Sequence, residues 1–248
     1  MTGRVTLTFL GSGDAFGSGG RFQTCMLLEV PGSRSLIDCG ASSLVSMKKL
    51  GVAPGSIDCI LVTHLHGDHF GGLPFVILDA QFSRRERPLD VIGPPGIEDR
   101  VRQAMEVLFP KSSQTPQRFA LRYRELSHGC RTAVAPGLVV TPFEVQHFCG
   151  APPYALRIES AGRIVAYSGD TEWSDALLEV SRDADLFVCE AYFYEKKVKF
   201  HLDYATLEAQ RHRLTCRRLI VTHMSHDMLS RCSSVGAEPA YDGMAVQL

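Results

Sequence analysis

Short apolar runs rich in Val, Ile and Leu recur along the chain, separated by glycine, proline and polar turn signals. They predict strands over residues 5–10, 24–29, 35–38, 59–62, 89–92, 138–145, 154–159, 163–168, 186–189 and 219–221. Helical periodicity predicts helices over 42–50, 72–82, 97–108, 174–181 and 204–212, the last with Asp203 placed to cap its N-terminus. Strands and helices are mixed without strict alternation, and hairpin-like strand runs occupy both halves. This favours a layered α/β arrangement over a simple doubly wound sheet. There is no internal repeat, low-complexity run or long linker. The cluster Arg84-Arg85-Glu86-Arg87 reads as a solvated helix end, and residues 112–116 (Ser-Ser-Gln-Thr-Pro) read as a mobile loop.

Composition narrows the class. The 248 residues are 45% hydrophobic and 21% charged, with a formal net charge of −1. That is a globular balance with no general attraction to nucleic acid or an anionic membrane. The length suits one domain spanning 1–248 that buries its core without disulfides. No run of 18 apolar residues is present, and the segment from Met1 to Val5 lacks the apolar core of a secretory signal. The eight cysteines are scattered with no CxxC pair. Cys59 and Cys189 sit inside strand-like runs and read as small buried apolar residues. The expected location is the reducing cytoplasm.

The chemistry lies in Thr63-His64-Leu65-His66-Gly67-Asp68-His69. It follows a buried strand, and side chains at i and i+2 on extended backbone point the same way, so His64 and His66 face together. A turn at Gly67 can bring Asp68 and His69 round to meet them. Imidazole and carboxylate are the donors that zinc, manganese and iron prefer. A lone HxH is an unremarkable surface pair, but four ligand-type side chains after a buried strand are not. His147, Asp170 and His223 add to the set. Each sits just beyond the carboxyl end of a predicted strand, where α/β folds place their chemistry.

The order HxHxDH, a later His, a strand-Gly-Asp-Thr turn and a C-terminal Thr-His resembles the metallo-β-lactamase superfamily. The opening Leu10-Gly11-Ser12-Gly13-Asp14-Ala15 and the closing Tyr241-Asp242-Gly243-Met244 resemble it too. Within the superfamily the chain is most similar to the ribonuclease Z-like metal-dependent phosphodiesterases. The resemblance implies a four-layer αββα sandwich with two divalent metal ions at one edge, zinc foremost and manganese or iron as alternatives. It implies that His64, His66 and His147 bind one ion, that Asp68, His69 and His223 bind the other, and that Asp170 bridges. True zinc β-lactamases generally carry cysteine at the Asp170 motif, which argues against that activity.

The same resemblance points to a proton relay. Glu190-Ala191 matches the Glu-Ala motif of ribonuclease Z-like enzymes, and His201 lies where their relay histidine falls. Leu202-Asp203 follows it in place of the usual small hydroxyl residues. Asp68, Glu190 and His201 are therefore the candidate catalytic groups. His226 is left between pocket and surface, and His128 and His212 have no supporting pattern. Only 23 residues separate His147 from Asp170, which leaves no room for the tRNA-gripping arm of ribonuclease Z. The expected activity is hydrolysis of a small or cyclic nucleotide-like phosphodiester. Hydrolysis of a carboxylic ester, thioester or lactone is the alternative, and a non-catalytic metal-binding module is the weakest reading. The expected partner is a small-molecule or nucleotide-like substrate, with neither tRNA nor membrane, and with a homodimer as one oligomeric option.

Overall fold

In the computed structural model, residues 3–248 are described. In chain order the elements are β1 (Thr6–Gly11), β2 (Cys25–Val30), β3 (Ser33–Ile37), α1 (Ser43–Lys49), β4 (Cys59–Leu61), α2 (Gly67–Phe70), α3 (Leu73–Phe82) and β5 (Leu89–Gly93). Then come α4 (Ile97–Leu108), β6 (Leu121–Glu125), β7 (Thr132–Ala135), β8 (Leu138–Glu144), β9 (Tyr154–Ser160), β10 (Arg163–Tyr167) and α5 (Ala176–Ser181). The chain ends with β11 (Leu186–Glu190), α6 (Tyr204–Gln210), β12 (Leu219–Thr222), α7 (His226–Ser230), β13 (Glu238–Pro239) and β14 (Ala245–Gln247).

Two seven-stranded mixed sheets result, in the orders β14-β1-β2-β3-β4-β5-β6 and β13-β12-β11-β10-β9-β8-β7. Side-chain alternation decides what faces what. Met26, Leu28 and Val30 of β2 join Leu138, Val140, Leu156, Ile158 and Val188 in a core between the sheets. Cys25 and Leu27, one register off, face the other way and pack with Leu73, Ile77, Val101 and Met105 of α3 and α4. Phe187 and Cys189 of β11 pack outward against Leu177 and Val180 of α5 and Leu207 of α6. Both faces of each central strand are therefore dry, which explains the nearly unbroken apolar runs. This is the αββα sandwich that the motifs imply.

Parallel pairing aligns the site. β3, β4 and β5 run parallel in one sheet, and β10, β11 and β12 run parallel in the other. Their carboxyl ends open at one edge, and the loops there bridge the sheets. Tyr154 N–H donates to the Thr63 carbonyl at 3.0 Å and His223 N–H to the Ser12 carbonyl at 3.3 Å. Asp242 closes the arrangement by accepting from the Ser12 N–H and hydroxyl and from the Phe22 N–H, at 2.8–2.9 Å. The opening and closing segments of the chain are thus one tied unit.

Several sequence expectations change. β6, β7, β13 and β14 are additional strands: β6 is half-exposed along its length, β7 has four residues with only Val134 buried, and β13 and β14 have two and three residues. Edge strands need little apolar signal because one side meets solvent. The helix over 204–212 ends at Gln210 and tightens into a 3₁₀ turn, and Asp203 does cap it, accepting from the Thr206 N–H at 2.8 Å. Residues 112–114 are not a loose loop but a 3₁₀ turn, with Glu106 accepting from the Lys111 and Ser113 N–H groups at 2.9 and 3.2 Å. Arg85 is not a solvated charge. It is buried and donates to the carbonyls of Pro54, Gly55, Ile57, Arg87 and Pro88, pinning the turn that leads into β4. All eight cysteines are free thiols, and Cys59 and Cys189 are buried in strands as expected.

Candidate metal centre and active site

Each candidate donor is placed by the end of an element. Beyond β4 the chain bends through residues 63–66 to His66, the N-cap of α2, whose own backbone is extended (φ −91°, ψ 150°). The expected turn at Gly67 is this single helical turn, which carries Asp68 and His69 round beside His64. His147 follows β8. Asp170 follows β10 across Gly169, whose φ is +59° and where a Cβ would lie 2.8 Å from the Tyr154 carbonyl oxygen, so only glycine fits. His223 follows β12 with φ +57°.

The candidate donors assemble into two groups, with His201 at their margin. The ligand atoms of His64, His66 and His147 lie within 4.8 Å of one another, and so do those of Asp68, His69, Asp170 and His223; His201 comes equally close to His147 and Asp170. Asp170 reaches both groups. Its carboxylate is 3.2 Å from His69 Nε2, 3.3 Å from His223 Nε2 and 3.8 Å from His64 Nε2. Asp68 Oδ2 lies 3.3 Å from His69 Nε2, and His147 Nε2 lies 3.0 Å from His66 Nδ1. His64 Nε2, His69 Nε2 and Asp170 Oδ1 are buried polar atoms with no hydrogen-bond partner. Such atoms each cost about 1–3 kcal/mol unless something satisfies them. Convergent, unsatisfied nitrogen and oxygen donors fit divalent metal ions.

The opposite nitrogens are occupied, which fixes each ring. His69 Nδ1 donates to Asp38 Oδ2 at 2.7 Å, and His147 Nδ1 donates to the Phe200 carbonyl at 2.8 Å. His64 Nδ1 lies 3.1 Å from the Thr63 hydroxyl and His223 Nδ1 3.3 Å from the Thr24 hydroxyl. Outer partners of this kind set ring orientation and ligand basicity. Asp38 also accepts from the Thr63 N–H at 2.8 Å. Burial pushes His64, His66, His147 and His223 below the ordinary imidazole value, so they are neutral at pH 7, the form that donates a lone pair. Burial also opposes charge on His69, but Asp170, Asp68 and Asp38 outweigh it and hold His69 well above that value. Burial likewise works against an ionised Asp170, yet His223, His69 and His64 keep it well below the usual carboxylate range. Sequence reasoning missed Asp38, Thr24 and the Phe200 carbonyl. Only Asp38, a lone carboxylate closing an apolar strand, left a trace there.

A cavity of about 210 Å³ opens onto the donors, walled by Phe16, Tyr192 and His201 as well as Asp68, Asp170 and His223. Glu190 ends β11 fully buried. Its Oε1 accepts from the Thr171 N–H, and its Oε2 lies 3.0 Å from His201 Nδ1. Burial would lower His201, but the hydrogen bond to Glu190 and the nearby carboxylates raise it to about 9, so it keeps a proton at neutral pH. Burial and the Asp170 charge push Glu190 upward. The geometry therefore brings Asp68, Glu190 and His201 together with the donors. His226 stands exposed in the first turn of α7, outside this cavity. A larger cavity of about 490 Å³ between α4 and β6, lined by Glu98, Arg102 and Tyr123, holds none of the donors.

The sequence model of the family described as anti-Pycsar protein Apyc1 matches residues 5–237. The chain belongs to that family. It is also similar to ribonuclease Z of Geobacillus kaustophilus, 29% identical over a gapped alignment of 278 positions that covers 89% of this chain and 88% of that protein. The short form of human tRNase Z shares the fold, with a TM-score of 0.79 at 24% identity over 97% of this chain and 98% of that one. So does a diphosphatase of the PhnP family, with a TM-score of 0.78 at 20% identity over 98% and 97%. With its donor clusters, this member of the Apyc1 family is a metal-dependent hydrolase of the metallo-β-lactamase superfamily, on its ribonuclease Z-like branch. Among the described residues no helix is long and apolar enough to cross a membrane.

Proposed function

We propose that the chain is a two-metal phosphodiesterase acting on a small, nucleotide-like diester, a cyclic nucleotide in particular. In this reading His64, His66 and His147 hold one ion, Asp68, His69 and His223 hold the other, Asp170 serves both, and zinc is the ion. Bound there, the pair supplies Lewis-acid polarisation of the phosphoryl group and a water acidified toward neutral pH. The observation that carries the reading is the His201–Glu190 pair, set against Asp170 in the same cavity. A phosphodiester expels a basic alkoxide that needs a proton. Glu190 engages Nδ1 of His201 and so leaves Nε2 as the nitrogen free to give that proton. Asp68, beside His69 and the cavity, orients the attacking water.

Substrate size is read from the walls. The cavity volume suits one diester rather than a folded RNA. The interval between His147 and Asp170 is filled by the β9–β10 hairpin and its tight turn at Ala161-Gly162, not by an arm. Phe16 at the cavity and Phe148 next to His147 are exposed aromatic rings, 84% and 72% accessible, on which a flat base can stack. The anti-Pycsar description of the family agrees with a cyclic nucleotide substrate.

The deciding experiment is a hydrolysis panel on zinc-replete protein: 3′,5′-cyclic nucleotides, a linear dinucleotide, a precursor tRNA, an aryl ester and a lactone. The cyclic nucleotides should give the highest kcat/KM. Faster turnover of ester or lactone, or cleavage of tRNA alone, would replace the reading.

A further inference from the structure

We propose that Glu172 is a positioning residue: it holds Phe200 in a strained turn and thereby sets both His147 and His201. The His147 half stands on geometry alone. The His201 half rests on the phosphodiesterase reading above.

The starting point is the backbone of Phe200. Among the described residues, seven that are not glycine have positive φ, and three of these, Asp38, Phe200 and His223, lie at the site. Asp and His visit the left-handed region with some ease, through their short polar or flat side chains. A bulky phenylalanine at φ +72° does not. Such a conformation persists only where its surroundings over-determine it.

The Val198 carbonyl closes that turn by accepting from the His201 N–H at 3.2 Å, and Glu172 is the side chain that restrains it from outside. The Phe200 N–H donates to Glu172 Oε1 at 2.7 Å, while the Phe200 carbonyl accepts from His147 Nδ1 at 2.8 Å. The peptide unit on either side of one α-carbon is thus pinned, one to a carboxylate and one to a candidate metal ligand. Glu172 is itself anchored to the segment that bears His147: its N–H donates to the Gln146 carbonyl, and the Thr171 hydroxyl accepts from the Gln146 N–H, both at 3.0 Å. The next residue along from Phe200 is His201, whose ring meets Glu190.

Seen along the chain, one short turn does three jobs. Asp170 turns its carboxylate to both donor groups, the Thr171 N–H binds Glu190, and the Glu172 carboxylate binds the backbone that presents His201. Without the Glu172 acceptor, Phe200 relaxes toward negative φ. Its carbonyl then leaves His147 Nδ1, freeing that ring to rotate, and the His201 backbone shifts relative to Glu190. The side chain of Phe200, stacked at 6.2 Å on the exposed Phe148 and covered by the Lys199 ammonium at 4.7 Å, stays on the surface side and does not hold the backbone by itself.

The test uses the full chain stripped of metal and titrated with cobalt(II), whose visible absorption reports each coordination site. Three substitutions separate reach from charge. Glu172→Gln keeps an acceptor at the same distance without the charge, and should titrate like the unaltered protein. Glu172→Asp keeps the charge but is one methylene short, and Glu172→Ala removes both; each should bind one cobalt about 10- to 100-fold more weakly, with an altered spectrum. Thermal melting of the metal-free proteins controls for folding, and Glu172→Asp decides if Glu172→Ala does not fold. In hydrolysis, the Asp and Ala variants should lose more kcat on a nucleotide substrate than on a p-nitrophenyl phosphodiester, while Gln restores it. Unaltered cobalt affinity and spectrum in folded Glu172→Asp overturns the proposal, and so does a Gln variant as impaired as Ala. Failure of the phosphodiesterase reading shows in the substrate panel instead and leaves the cobalt titration readable.

Discussion

Replacing His201 by alanine tests the proposed donation of a proton to the leaving oxygen. His201 is raised to about 9 by Glu190 against the pull of burial. At pH 7 a histidine raised to about 9 is mostly protonated, whereas one at its ordinary value is mostly neutral. The donor is therefore present throughout the neutral range and is lost as pH rises through about 9. His201→Ala should keep both metals, since its Nδ1 is committed to Glu190 and the other seven donors can supply both sites without it. It should cut the chemical step by about 10²–10⁴-fold on a nucleoside leaving group. A p-nitrophenolate leaves as a weak base and needs little help, so the same variant should be damaged far less on a p-nitrophenyl phosphodiester. Glu190→Gln tests the sign. Removing the carboxylate takes away the strongest influence that raises His201 against burial, so the alkaline limb of the kcat profile should move to lower pH. The assay is steady-state kinetics on both substrates from pH 5.5 to 10, with metal content measured on each sample. Equal losses on the two substrates, or an alkaline limb that Glu190→Gln leaves in place, would refute the donor assignment.

Three further outcomes follow from other contacts. Reconstituted protein should hold two metal ions by elemental analysis, and Asp170→Ala should lose metal and turnover together, because its carboxylate reaches both donor groups; an active variant that keeps two ions would remove the bridging role. Arg85→Ala should cost about 1–3 kcal/mol in chemical denaturation, chiefly by orphaning the buried Ile57 carbonyl at the turn before β4, with kcat unchanged because the residue lies away from the cavity; a loss below about 0.5 kcal/mol would show that this carbonyl finds another partner.

Much of the site was legible because its ligand types stand where strands end. His64 to His69 follow β4, and His147, Asp170 and His223 follow β8, β10 and β12. Apolar runs locate those strand ends, and the residue types name the chemistry. The sandwich was legible for a related reason: continuous apolar strands require cover on both faces. What stayed hidden depends on contacts between segments distant in sequence. Thr24 meets His223 across 199 residues, and Asp38 meets His69 across 31. Neither threonine nor aspartate carries a mark that distinguishes an outer partner from a turn residue. Arg85 was misread for a similar cause, since a basic run looks solvated until tertiary structure supplies the carbonyls.

Phe200 marks the limit of such reading. Left-handed backbone is normally written into a sequence as glycine, and Gly169 follows that rule. Where a phenylalanine takes the same region, local preference argues for a different conformation, and only the assembled fold overrides it. Asp38, Phe200 and His223 all take left-handed φ, and all three either contact or belong to the candidate ligand set. The backbone is forced out of its preferred wells at the positions where a ring nitrogen or a carbonyl must be aimed. A folded scaffold can sustain this because the strands beneath are buried on both faces and resist relaxation. Rigidity of the sandwich and strain at its edge are therefore two aspects of one arrangement. A substitution that loosens the core near β4, β10 or β12 should then disturb metal binding before it unfolds the chain.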